Sequence, residues 1–294
     1  MESPDQLSRQ IEGLEDLQSI VKTMKALSAV SIRQYERAVE SLAEYFHTIE
    51  LGLQVVLRAG DVGRYERETA QGNYGAAVFG SDHGLCGRFN EDVTEYLMEH
   101  LARDAREERR RHFIAVGARV AMQLEANDLT LDETFWVPGS ADRITATVQQ
   151  VLQKIEAWRA EDGVERVYLY YNAPSDRGRY EPTSLQILPL DTHRFRHIEQ
   201  EPWPSKRLPT YSMDTEALLS ALIRQYYFIS LFRACAQSQA SEHASRLAAM
   251  QSAERNLDER LEDETAHYRR VRQNAITSEL LDVVAGFEAM KPGD

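Results

Sequence analysis

With 294 residues the chain can bury a sizeable core, as one large domain or as two smaller ones. Its 47 acidic against 34 basic residues give a formal net charge of −13, which repels phosphate backbones and anionic membrane surfaces and excludes nucleic acid as an expected partner. No stretch reaches the ~18 uninterrupted apolar residues of a membrane span, because the runs "ALLSALI" and "YYFISLF" are cut by Arg224 and Arg233, so no direct membrane insertion is expected.

The opening stretch, "MESPDQLSRQIEGLED", is acidic and has no basic segment followed by an apolar core, so it shows no secretory signal. Two cysteines in so long a chain suggest a reducing compartment, and the protein reads as cytoplasmic. Proline is absent from Gln6 through Val137 and again from Thr210 through Lys291, while seven of the nine prolines lie between those stretches. Long helices need that absence. From the N-terminus the apolar residues run Leu7, Ile11, Leu14, Leu17, Val21, Met24, Leu27, then Tyr35, Val39, Leu42, Phe46, Ile49, Leu53 and Val56, in steps of three and four. The spacing predicts one helix over residues 1–60 with the seam of a coiled coil.

Between the proline-free stretches the pattern changes to short apolar runs set off by Gly, Asp and Asn. "YGAAVFGSD", "HFIAVG", "ERVYLYYN" and "LQILPL" read as strands, and "NEDVTEYLMEHLARDA", "ARVAMQLEAN" and "SADRITATVQQVLQKIEAWRAE" as the helices separating them. Alternating strand and helix predicts an open, Rossmann-like α/β domain over residues 70–195. A connector, "EQEPWPSKRLPTYSMD", then leads into a second helical stripe over 210–291.

The two long helices leave the middle domain from neighbouring points, which predicts an antiparallel coiled coil carrying an inserted α/β domain. At 1.5 Å per residue they reach roughly 80 and 120 Å, so the C-terminal helix overhangs its partner by on the order of 40 Å. The overhang is expected from about Tyr268 onward. It keeps Val271, Ile276, Leu280, Val284 and Phe287, which are costly to leave in water, so another protein is expected to surround it.

"VFGSDHGLCGRFN" invites enzymatic readings. Its glycines at 80, 84 and 87 fit neither a Walker loop nor a dinucleotide fingerprint. Cys86 beside His83 and Asp82 has the residue types of a cysteine nucleophile, which defines a rival reading: a cytosolic α/β hydrolase with helical dimerisation arms. A strand-to-helix turn needing glycine conformations accounts for the stretch better. The eight histidines show no metal-ligand spacing, and no cofactor is expected.

Four blocks taken together carry a family resemblance. "QSIVKTMKALSAVS" at Gln18–Ser31, "SDHGLCGRFN" in the middle, "SEHASRLAAM" at Ser241–Met250 and "RQNAITSELLDVVAG" at Arg272–Gly286 stand in order across nearly the whole length. With them the chain resembles the gamma subunit, the central shaft of F-type rotary ATP synthases. The resemblance implies a non-catalytic subunit whose upper end sits inside a hexamer of alpha and beta subunits and whose foot docks on the membrane c-ring with epsilon. It implies a peripheral location on the cytoplasmic face of the bacterial inner membrane. It also implies contacts with the alpha/beta head through Lys22, Met24, Lys25, Glu242, Arg246, Arg272, Gln273, Thr277 and Glu279. Read without the family, Lys22 and Lys25 would be solvated residues and Glu242 with Arg246 an ordinary pair one turn apart.

Several positions depart from the family pattern. His83 stands for the usual arginine, "SAERN" for the usual Thr-Asp-Asn, "TYSMD" lacks a proline before the last helix, and "MESPDQL" replaces a basic start. These differences point to a divergent or alternate rotary ATPase, a sodium-coupled one among the candidates. The coupling ion stays open between H+ and Na+, because its ligands would lie in the ring.

Overall fold

The computed structural model describes residues 3–59, 72–103, 110–175, 180–189, 203, 206–207 and 209–289. The chain divides into two compact units, one of residues Ser28–Arg246 and one of Met1–Leu27 with Leu247–Asp294. Helix α1 spans Pro4–Ser41 and α2 spans Ala43–Ala59. The apolar stripe read as one helix is therefore two. At the break the Ser41 hydroxyl donates to the Ala38 carbonyl at 2.9 Å and the Leu42 N–H to the Val39 carbonyl at 3.2 Å, a tightened turn that competes with the ordinary helical ladder.

Strand β1 is Asn73–Phe79, β2 Arg111–Val116, β3 Glu133–Phe135, β4 Val164–Pro174 and β5 Tyr180–Leu188, in the sheet order β3-β2-β1-β4-β5. The first four are mutually parallel and β5 pairs antiparallel with β4. The short β3 has no counterpart among the expected strands. Helices α3 (Phe89–Arg103) and α4 (Ala118–Glu125) cover one face, packing Val93, Leu97, Val120 and Leu124 on Ala76, Val78 and Ala115. Helix α5 (Ile144–Glu161) covers the other with Val148, Val151, Ile155 and Trp158, joined by α2 and by the first part of α6 (Thr215–Ala289). Helices on both faces make the central strand β1 nearly continuously apolar, as its unbroken run of buried residues from Tyr74 to Phe79 shows.

In the terminal unit, Gln18 is hydrogen-bonded to Asp258, and Lys25 is ion-paired with Glu254. Numbers rising along α1 meet numbers falling along α6, so the two helices run antiparallel. Leu7 and Met250 are buried there. From Ile276 to Gly286 every residue of α6 is exposed. The overhang thus begins about two turns later than Tyr268, since Val271 and Ala275 are half-buried. The side chain of Phe287, most of the connector after β5, and the expected boundaries at 60, 70, 195 and 291 lie outside the described residues. No helix among the described residues is long and apolar enough to cross a membrane.

Candidate functional site

Strand order reverses between β1 and β4. Outside the carboxyl ends of such strands a doubly wound sheet opens a crevice, and here the β1–α3 loop, residues 80–88, occupies it. The loop is tied down from within. Asn90 accepts from the Ser81 N–H at 2.9 Å and donates to the Ser81 hydroxyl at 2.8 Å, and that hydroxyl donates to the His83 carbonyl at 2.8 Å. The Asp82 carboxylate accepts from the Ala118 N–H at 2.9 Å and from the Val137 N–H at 3.0 Å, so it caps α4 and anchors the segment after β3. Gly117, at φ 124°, is required where it stands, because a Cβ there would lie 2.8–2.9 Å from the Ser81 backbone.

Helix α6 closes the crevice from outside. Arg246 donates to the carbonyls of His83 at 3.2 Å and Gly84 at 3.4 Å, and the Ser245 hydroxyl donates to the Cys86 carbonyl at 2.6 Å. Glu242 pairs with Arg246 at 2.5 Å, and the two are only 4% and 6% exposed. Burial pushes the Glu242 carboxyl up, and the neighbouring guanidinium and the Gln239 amide oppose that rise. Expected as contacts with the alpha/beta head, Glu242 and Arg246 direct their polar groups within this chain to each other and to the loop.

Cys86 is 1% exposed, and burial pushes its thiol up. Its sulfur lies 3.7 Å from the Ser81 hydroxyl and 3.7 Å from the His83 carbonyl, so the contact with His83 is to backbone and not to the imidazole. A catalytic thiol needs the opposite, a lowered pKa beside a base. Asp82, the third member of that constellation, has its carboxylate on backbone amides. The hydrolase reading is not supported.

The other expected residues lie in the terminal unit. Exposed Lys22 donates to Gln18 at 2.9 Å, Met24 is half-buried, and Lys25 is half-buried in its pair with Glu254. Arg272, Gln273, Thr277 and Glu279 are all exposed. The Arg272 guanidinium lies 6.0 Å from the centre of the Tyr268 ring, and the Thr277 hydroxyl donates to the Gln273 carbonyl at 2.9 Å. Sequence reasoning missed Ser245 and the carbonyls that Arg246 holds. Backbone acceptors leave no mark in a sequence, and only the serine beside the arginine hinted at them.

The family model described as ATP synthase matches residues 3–290. The chain is 25% identical to the ATP synthase gamma chain of Maridesulfovibrio salexigens over 294 residues, covering 99% of this chain and 100% of that one. It is 27% identical to the gamma chain of Geotalea uraniireducens over 293 residues, with the same coverage. Among solved structures it resembles a chain of the Euglena gracilis mitochondrial ATP synthase OSCP/F1/c-ring assembly, with a TM-score of 0.67, 17% identity and coverage of 99% and 97%. It also resembles a chain of that organism's ATP synthase rotor, with a TM-score of 0.65, 16% identity and coverage of 93% and 98%. Two antiparallel terminal helices, a doubly wound sheet between them in sequence, and a family match running from residue 3 to residue 290 lead to one assignment: the chain belongs to the ATP synthase family, among its gamma chains.

Proposed function

We propose that the chain is the central-stalk rotor subunit of a rotary ATP synthase, coupling ion passage through a membrane ring to ATP synthesis or hydrolysis on an alpha/beta hexamer. It is a non-catalytic subunit, and the chemistry belongs to its partners. The observation that carries the reading is the end of α6, where Ile276, Leu280, Leu281, Val283 and Val284 are 48–68% exposed on an ordered helix. An apolar surface of that kind asks for a surrounding protein. The alpha and beta subunits are that protein in this reading, with epsilon and the c-ring as the partners at the foot. A peripheral position on the cytoplasmic face of a bacterial inner membrane fits the bacterial gamma chains it resembles.

Arg272, Gln273, Thr277 and Glu279 supply exposed hydrogen-bonding groups beside this apolar tip, and Lys22, Met24 and Lys25 form a second contact turn on α1. Glu242 and Arg246 enter the reading through the loop they hold. A single asymmetric shaft presents a different face to each site of a ring. Its rotation changes each site's affinity in turn through differential contacts. In the assembled complex, photo-cross-linkers at Thr277 or Glu279 are expected to trap alpha or beta subunits, whereas the same groups at Glu125 on α4 are not. Cross-links to alpha or beta from Glu125 alone would refute the placement.

A further inference from the structure

Leu85, at the apex of the β1–α3 loop, combines two unfavourable features. Its backbone sits at φ 64°, the left-handed region in which an L side chain's Cβ crowds the following carbonyl. Its side chain is 62% exposed, so burial gives little in return. A bulky residue persists in such a conformation only where its surroundings over-determine it.

The surroundings are two clamps from consecutive residues of α6. On the N-terminal side of Leu85, Arg246 holds the carbonyls of His83 and Gly84; on the C-terminal side, Ser245 holds the carbonyl of Cys86. The guanidinium is itself fixed by Glu242 one turn earlier, and the other oxygen of that carboxylate accepts from the Gln239 amide at 3.1 Å. The crevice where a doubly wound sheet usually takes a ligand is occupied in this chain by its own β1–α3 loop, held from outside by α6.

We propose that Gln239, Glu242, Ser245 and Arg246 form a latch that positions the β1–α3 loop and holds Leu85 in its strained, outward conformation, with Arg246 as the central positioning residue. A lysine could keep the charge beside Glu242. It lacks the planar fork that reaches two successive carbonyls while pairing with a carboxylate. The latch is a property of the free chain and does not depend on the rotor reading.

Cys86 reports on it, because its buried thiol is reachable only when the loop lifts. The test is native-state alkylation of the full-length chain with N-ethylmaleimide, resolved by site with mass spectrometry, with buried Cys235 as the control for global opening. Arg246→Ala is expected to raise the Cys86 rate about tenfold or more, as loss of charge-assisted hydrogen bonds does to a local opening equilibrium, with Cys235 unchanged. Leu85→Gly, which relieves the strain, is expected to slow Cys86 about threefold and to shrink the factor that Arg246→Ala produces in the same chain. Should the alanine variant fail to fold, Arg246→Lys carries the test, with an intermediate rise expected. Cys86 rates equal to wild type in the arginine variants, a parallel rise at Cys235, or an Arg246→Ala factor unaltered by Leu85→Gly would each overturn the latch.

Discussion

Leu97, Ile114 and Leu169 in the unit Ser28–Arg246 are 0% exposed, while Ile276, Leu280 and Val283 near the end of α6 are 48%, 61% and 68% exposed. All six are branched aliphatic residues, and each gains about 1.5 to 3 kcal/mol from full burial. One unit is finished by its own chain. The other keeps these apolar side chains exposed among the described residues. Sequence hydrophobicity alone does not separate a core residue from an interface residue; the length of helix available to pack against does.

The contrast is most easily broken in the sheet unit. Trp158 is 1% exposed, and its ring lies 3.0 Å from where a Cβ on Gly75 would stand. Trp158→Ala should cost about 3 to 5 kcal/mol, read as a lowered urea midpoint of the isolated chain. A loss under ~1 kcal/mol would mean that the core is far more plastic than its packing indicates.

Acid should act on the same unit. His243 stacks on the Tyr35 ring at 5.7 Å, and burial, with Arg246 nearby, lowers its pKa to about 4. As pH falls below the unfolded value of about 6.5, the unfolded chain takes the proton first, so stability declines until pH reaches the folded value and then levels off. The loss should be on the order of 3 kcal/mol. Glu242 works in the opposite sense. Its raised pKa adds stability that is present at low pH and fades as pH rises through the folded value. Comparing wild type with His243→Gln at pH 7 and pH 4.5 isolates the histidine, and parallel losses in both proteins would refute the assignment.

The smallest expected change in folding sharpens the comparison from the other side. Leu280→Asp should alter the isolated chain's stability by no more than about 0.5 kcal/mol, as at other exposed positions. It should nevertheless weaken assembly with the alpha/beta hexamer, measured by co-purification. Unfolding of the variant alone with normal assembly would place Leu280 in an internal core.

Much of the fold is legible in the amino-acid sequence. Strands β1, β2, β4 and β5 stand out as apolar runs, and α3, α4 and α5 by their spacing. Strand β3, three residues reading "ETF", is too short to carry a period, and its place depends on pairing with β2. The break after Ser41 is hidden because neither Gly nor Pro marks it. Helix lengths alone point to an overhanging end that includes Thr277 and Glu279, although they put its start near Tyr268 where the unbroken exposed stretch starts at Ile276. Arg246 cannot, because its partners are main-chain oxygens brought near by the fold. A pair that looks solvated in the sequence, Glu242 and Arg246, is buried because a loop some 160 residues earlier lies on it.

The two cysteines carry a practical consequence. Burial lifts the Cys235 thiol to about 12 and raises that of Cys86, so neither supplies appreciable thiolate at neutral pH. Oxidants and disulfide exchange act through the thiolate. The folded chain is therefore nearly silent to both, although it has no disulfide between these residues to protect it. A cysteine introduced at exposed Thr277 would be the one readily modified sulfhydryl in an otherwise native chain, and a dye or gold particle could be attached there without first removing Cys86 or Cys235.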